Sequence, residues 1–106
     1  FKHDIVEANI KDTYDFIFST DVFMYLNPTR VQSIISNIKK QTNKGGYNLI
    51  VSALNATKHG YPLTPFPFTF IEGELREYYE DWKIIKYEED ITASPYPYAV
   101  ILAQKI

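Results

Sequence analysis

The feature that most constrains the fold is an apolar run, a capped amphipathic helix and a second apolar run, in that order. Residues 14–19 (YDFIFS) and 47–54 (YNLIVSAL) are short and rich in aromatic and branched residues, which is typical of strands buried on both faces. Between them, Asn27 can cap a helix whose first residue is Pro28. This order predicts a βαβ unit with two parallel strands and a right-handed crossover.

The helix between the two strands has clear signals along its length. Lys39 and Lys40 stand in its last turns, where cations interact favourably with the helix dipole. Gly45 and Gly46 follow, and a glycine here is available for a left-handed C-cap. One apolar stripe has the spacing i, i+3, i+4 and i+7, and it consists of Val31, Ile34, Ile35 and Ile38.

The second half of the chain begins with an irregular loop at residues 55–68, which is rich in proline and aromatic residues. Thr69 and Glu72 are spaced as a capping box for a second helix. The apolar stripe of that helix would comprise Leu75, Tyr78, Tyr79 and Trp82.

Two further strands are predicted at residues 83–89 and 98–104, separated by a short turn-rich connection, so we expect an antiparallel hairpin. Residues 1–5 are consistent with the end of one more strand. The whole pattern predicts a single domain, residues 1–106, of α/β class. Its sheet is mixed, with parallel strands and a closing antiparallel hairpin.

Composition excludes several classes of function. The net charge of −2 leaves no basic surface for nucleic acid or an anionic membrane, and no apolar run is long enough to span a bilayer. The chain has no cysteine, and neither His3 nor His59 has a second histidine at ligand spacing, so no metal site is expected. Its four glycines form no phosphate-binding loop.

The chain opens on Phe1, and its one methionine is Met24. A processed precursor would explain this start, but a piece of a longer protein is the simpler interpretation.

Polar residues follow two of the predicted strands at the edge where ligands bind in α/β sheets. Asp4, next to Ile5, can accept hydrogen bonds from a ribose or an adenine amino group, or it is a solvated loop residue. The segment Ser19, Thr20, Asp21 and Val22 can bind the polar part of a small ligand. Alternatively, Asp21 caps a turn through residues 23–26.

The predicted loops have an unusual density of aromatic residues. Such side chains either form the wall of a pocket over the sheet edge or pack as a satellite core beneath the loop. They include Phe23, Tyr25, Tyr61, Phe66, Phe68 and Phe70, together with Met24.

Three stretches carry a resemblance to a known family: YDFIFST with FMYL (residues 14–20 and 23–26), NKGGYNLIV (43–51), and EGEL with YY (72–75 and 78–79). The chain resembles the C-terminal part of the TehB-like tellurite-resistance methyltransferases, which are class I S-adenosylmethionine-dependent enzymes. The resemblance implies a partial Rossmann-like methyltransferase sheet. It also implies methyl transfer to a small or soft nucleophile in the intact protein, which we expect to be cytoplasmic.

The resemblance implies roles for individual residues. Asp4 and Ile5 would contact the adenine of S-adenosylmethionine, and the segment from Ser19 to Val22 would meet its methionine part. Phe23 and Tyr25 would face the methyl acceptor, and Phe66 and Phe68 are predicted on the same acceptor side. No residue is expected to act as a dedicated catalytic base.

The chain also departs from the family pattern. The glycine-rich cofactor loop is absent, so this chain alone is expected to bind the cofactor weakly or not at all and to be inactive. The connection at residues 91–97 is short and lacks the family's histidine and arginine, which puts tellurite in doubt as a substrate. An exposed edge at residues 14–19 predicts self-association. The competing hypothesis is a non-catalytic protein-interaction domain.

Overall fold

A computed structural model describes residues 12–62, 64–93 and 95–106. The expected strand at residues 1–5, with Asp4 and Ile5, lies outside this part of the chain. The described elements are β1 (Tyr14–Thr20), α1 (Pro28–Lys40), β2 (Thr42–Ala53), α2 (Glu74–Glu77), β3 (Lys83–Asp90) and β4 (Tyr98–Gln104), with single 3₁₀ turns at Phe23–Tyr25 and Thr57–His59.

The four strands form one mixed sheet in the order β1-β2-β4-β3. β1 and β2 are parallel and are joined through α1, which confirms the predicted βαβ unit. β4 lies antiparallel between β2 and β3, so the predicted closing hairpin is also confirmed. The class is therefore α/β with a mixed sheet.

Helix α1 covers one face of the sheet. Its N-cap is the predicted Asn27, whose Oδ1 accepts hydrogen bonds from the Thr29 backbone N–H at 3.0 Å and the Thr29 hydroxyl at 2.9 Å. All four residues of the predicted stripe are buried, and they pack in one core with inward-facing strand residues such as Ile17, Ile50 and Ile101.

The glycine pair does not cap α1, so that prediction is wrong. The helix ends at Lys40, and the Gln41 N–H bonds back to the Asn37 carbonyl. Gly45 and Gly46 lie inside β2, where the register with β1 shifts. The predicted start of β2 at residue 47 is five residues too late, because a glycine pair usually marks a turn, whereas here it forms an irregularity within a strand.

The second helix is shorter than predicted. α2 has one turn, its N-cap is Gly73 in the left-handed region (φ 77°), and no side chain caps it. Glu72 does not complete a capping box; its carboxylate contacts the His59 imidazole. The predicted stripe is nonetheless mostly buried, because the chain continues in turns whose N–H groups reach back three residues, as from Trp82 to Tyr79.

A buried polar network crosses the core between α1, β2 and the turn after α2. The Tyr79 hydroxyl donates to Asn48 Oδ1 at 2.8 Å, and Asn48 Nδ2 donates to the Thr42 hydroxyl at 2.7 Å. Thr42 in turn donates to the Ile38 carbonyl at 2.8 Å. Burial, and secondarily the charge of Asp81, raises the pKa of Tyr79, so its phenol is a permanent donor.

The second face of the sheet is apolar and is not covered by a helix in the described residues. Phe16 and Phe18 of β1 point to this face and are 46% and 51% exposed. Their strand partners continue the face across the sheet; they are Tyr47, Leu49, Val51, Leu102 and Val100, all half-buried.

Candidate functional site

The predicted site lies at the edge of the sheet where β1 and β3, which run in the same direction, both end. β1 and β2 are parallel, and β3 is antiparallel to β4, which is antiparallel to β2. β3 therefore runs in the same direction as β1. The loop after β1 and the connection after β3 consequently meet at the carboxyl edge, where ligands of open α/β sheets bind.

The loop after β1 contains a left-handed residue that is not glycine. Asp21 has φ 58°, and its N–H donates to the Val51 carbonyl at 2.9 Å. The 3₁₀ turn that follows has Val22 at its N-cap and no side-chain cap, so Asp21 does not take the turn-capping alternative. A strained residue held in place by its neighbours is often found at a functional site.

Three aromatic rings from three separate segments contact one another beside Asp21. The Tyr25 and Phe66 ring centroids are 5.5 Å apart, and those of Phe66 and Tyr96 are 5.0 Å apart, both in edge-to-face geometry. The Tyr96 hydroxyl donates to Asp21 Oδ1 at 3.1 Å. We call Asp21, Tyr25, Phe66 and Tyr96 the aromatic face.

The phenol of Tyr96 is held in its protonated form. Burial, the hydrogen bond to Asp21 and the charges of Asp21 and Tyr25 together raise the pKa of Tyr96 above its usual range. At neutral pH this hydroxyl therefore donates to the Asp21 carboxylate, and it fixes the direction of that side chain.

Ser19 stands just before this loop, and its side chain is 5% exposed. Its Oγ is buried, and no hydrogen-bond partner for it is found among the described residues. A buried hydroxyl without a partner is uncommon. Thr20, the last residue of β1, and Asp21 follow it as exposed residues, and Val22 is half-buried. The segment from Ser19 to Val22 therefore spans the end of the strand.

Two of the predicted acceptor-side residues belong to the core. Phe23 is fully buried, and its ring lies 6.1 Å from that of Phe70. Phe68 is half-buried and packs edge-to-face on Phe70 at 4.8 Å. For these two rings the satellite-core alternative applies, whereas Tyr25 and Phe66 contribute to the aromatic face.

The residue that sequence reasoning missed is Tyr96. Its connection contains no histidine or arginine, and a lone tyrosine there does not by itself indicate a site. A usable signal exists, because Tyr96 stands between Pro95 and Pro97 in a connection that leaves the carboxyl end of β3. Pro97 is buried, and its carbonyl accepts the Leu54 N–H at 2.9 Å, which anchors the connection at the sheet edge.

Other polar groups do not form a second chemical centre in the residues that the structure describes. No group of three histidine, cysteine or acidic side chains is arranged there to hold a metal ion. His59 pairs with Glu72 at the surface. In the same part of the chain, no helix has the length and apolarity needed to cross a membrane.

The fold defines a class of protein. The chain superposes on an N-methyltransferase, NodS from Bradyrhizobium japonicum, with a TM-score of 0.68 and 18% identity, covering 97% of this chain and 57% of that one. It superposes on the magnesium protoporphyrin IX methyltransferase of Synechocystis with a TM-score of 0.71 and 15% identity, covering 98% and 49%. The chain thus has the Rossmann-like fold found in methyltransferases.

Within that class, the chain belongs to the family described as tellurite resistance protein TehB, which it matches over residues 1–94. It is 56% identical over 89 residues to a probable S-adenosyl-L-methionine-dependent methyltransferase TehB of Haemophilus influenzae, covering 84% of this chain and 31% of that protein.

The crystal structure of TehB from Haemophilus influenzae superposes with a TM-score of 0.85 and 46% identity, covering 98% of this chain and 40% of that one. The chain therefore spans about a third of the length of the curated relatives that it matches.

Proposed function

We propose that this chain is the C-terminal, acceptor-side part of an S-adenosylmethionine-dependent methyltransferase that transfers a methyl group to a small or soft nucleophile. The observation that carries the proposal is the loop after β1 in a chain of the TehB family, where a buried Ser19 and a left-handed Asp21 end the strand. The intact protein is proposed to be cytoplasmic.

The residues present fit one side of the cofactor. Ser19 offers a buried hydroxyl without a partner in the described part of the chain, and Thr20 and Asp21 offer exposed polar groups beside it. We assign the segment from Ser19 to Val22 to the methionine part and Asp4 with Ile5 to the adenine. When bound, S-adenosylmethionine supplies an electrophilic methyl group carried on a sulfonium sulfur.

The chain's own residues act by positioning. The loop after β1 is held by the Asp21 hydrogen bond to Val51 on the next strand, so its polar groups keep a fixed direction. The rings of Tyr25 and Phe66 place apolar surface at the same edge. Proximity and orientation of this kind lower a barrier without a dedicated base.

Cofactor binding is expected to be weak for the 106-residue chain alone, because the residues assigned above would contact only one side of the ligand. Calorimetry with S-adenosylmethionine should detect no binding at micromolar concentrations. The whole protein that contains this chain should bind and should transfer the labelled methyl group of S-adenosylmethionine, with Ser19→Ala reducing affinity. Micromolar binding by the isolated chain, or a whole protein without transfer to any acceptor, would contradict the proposal.

A second candidate function is a non-catalytic interaction domain that keeps this part of a methyltransferase scaffold. It is favoured by the apolar face at Phe16 and Phe18, which no helix covers in the described part of the chain. This face continues across neighbouring strands, unlike the scattered apolar residues of an ordinary surface. Detection of methyl transfer by the whole protein decides between the two candidates.

The isolated chain is expected to self-associate through that face and the outer edge of β1, with which no other described strand pairs. Exposed strand edges with apolar side chains pair readily. Light scattering after gel filtration should report species larger than a monomer, at a fraction that grows with concentration. Phe18→Lys should shift the chain towards the monomer. Ile71→Lys is the matched control, since Ile71 is 61% exposed but lies in another segment. A monomer at all concentrations would refute the prediction.

A further inference from the structure

Tyr96 joins the aromatic face from the connection between β3 and β4, just beyond the residues that the family model matches. The family match ends at residue 94, and Tyr96 comes two residues later, in the connection between β3 and β4. Its phenol nevertheless bonds to Asp21, and its ring packs on Phe66, both within the family-matched region. A residue outside the matched stretch therefore contributes to the acceptor side of the proposed site.

The aromatic face carries a negative charge and no positive charge from the segments that form it. The three segments that supply it, residues 19–27, 61–70 and 91–97, contain no lysine, arginine or histidine. Asp21 contributes an exposed carboxylate, and the Tyr96 hydroxyl donates a hydrogen bond to that carboxylate. An anion approaching this face would meet a negative charge and no cation from these three segments, which is a strong basis for rejection.

The remaining surface suits an uncharged ring. Tyr25 is 62% exposed, and its ring forms one end of the edge-to-face chain through Phe66 to Tyr96. Aromatic side chains in such arrangements bind a further ring through both burial and quadrupole geometry. Phe66 in the loop 55–68 and Tyr96 in the connection 91–97 are half-buried, so packing against neighbouring residues restricts the positions of both rings.

We infer that the methyl acceptor of this protein is an uncharged molecule with an aromatic or apolar surface, selected by Tyr96 and Asp21, and not an oxyanion such as tellurite. The inference rests on the proposed function, because it assumes that the aromatic face is the acceptor side. It assigns Tyr96 as a specificity-determining residue.

Binding of matched probes to the 106-residue chain tests the inference without any need for catalysis. Benzyl alcohol and benzoate present the same ring and differ in charge, and sodium tellurite is the oxyanion. Nuclear magnetic resonance titration at low salt should show benzyl alcohol shifting the ring resonances of Tyr25, Phe66 and Tyr96. Benzoate should bind about fivefold more weakly, as expected for one like charge at about 4 Å in water. Tellurite should leave these resonances unchanged.

Variants distinguish the contribution of the Tyr96 ring to binding from that of the Asp21 charge. Asp21→Asn should abolish the discrimination against benzoate and leave benzyl alcohol binding intact. Tyr96→Ala should weaken benzyl alcohol about threefold to tenfold, the range of one aromatic pair. Tyr96→Phe keeps the ring and should rescue that loss, which a merely structural disturbance would not do. Amide spectra check that each variant is folded.

The inference is overturned if benzoate or tellurite binds at these rings as tightly as benzyl alcohol, or if benzyl alcohol shifts none of them. Its failure differs from failure of the proposed function. If benzoate binds as tightly as benzyl alcohol, the selectivity is refuted but methyl transfer by the whole protein is not. If the whole protein transfers no methyl group, the proposed function is refuted but the binding results are unchanged.

Discussion

Replacing Tyr79 with alanine should destabilise the chain by about 3–5 kcal/mol, the usual cost of deleting a buried aromatic ring. Tyr79 is fully buried and packs edge-to-face on Trp82 at 5.1 Å. Lys39 Nζ lies 5.2 Å from the centre of its ring. Since a domain of this size is stable by about 5–15 kcal/mol, the loss is a large fraction of the total.

The phenylalanine variant isolates the hydroxyl from the ring. Tyr79→Phe should cost about 1–3 kcal/mol, because it leaves Asn48 Oδ1 buried without its donor. Urea unfolding followed by the fluorescence of Trp82, the one tryptophan in the chain, measures both variants. Tyr61→Phe is the control, since Tyr61 is 37% exposed and its variant should lie within about 0.5 kcal/mol of the parent. Equal stability of Tyr79→Phe and the parent would contradict the buried network.

The second large effect is expected at Gly46. A Cβ at this position would lie 2.7 Å from the Asp15 carbonyl oxygen and 2.9 Å from that of Asn43. Both are backbone atoms of the β1–β2 junction, so neither moves aside without disturbing the strand pairing. Gly46→Ala should therefore cost about 3 kcal/mol, the upper part of the range for overpacking.

Gly60→Ala is the matched comparison for Gly46→Ala. Gly60 is in the left-handed region (φ 86°), and a Cβ there would meet nothing within 4 Å. Its substitution should cost only the conformational strain of about 1–2 kcal/mol. Thermal unfolding of the two variants gives the ranking, and a Gly46→Ala protein as stable as the Gly60→Ala protein would show that the β1–β2 junction yields to the added methyl group.

The elements that sequence reasoning located well are those with a strong local pattern. The cap at Asn27 and the stripe ending at Ile38 specify α1, because capping and period depend on neighbours within a few residues. Strand β4 has the predicted bounds. The glycine pair was misplaced because its conformation is set by contact with β1, and Gly46 is required by the Asp15 carbonyl, which no local pattern reveals.

The candidate site was half predicted. The loop from Ser19 to Val22 follows from the position of a strand end, and it lies at the expected edge. The exposure of the aromatic residues could not be predicted from the sequence. Phe23 and Tyr25 are two positions apart, yet Phe23 is fully buried and Tyr25 is 62% exposed. Which ring faces inward depends on Phe70, whose segment joins the end of β2.

The sequence by itself determined the βαβ order, the mixed sheet and the family resemblance, since these depend on local periodicity and on short runs of residues. Only the tertiary structure decided that Tyr96 meets Asp21, 75 positions apart along the chain. The physical reason is that strand direction places the loop after β1 and the connection after β3 at one edge of the sheet. The chemistry of the acceptor side arises from that meeting, which local patterns along the chain do not encode.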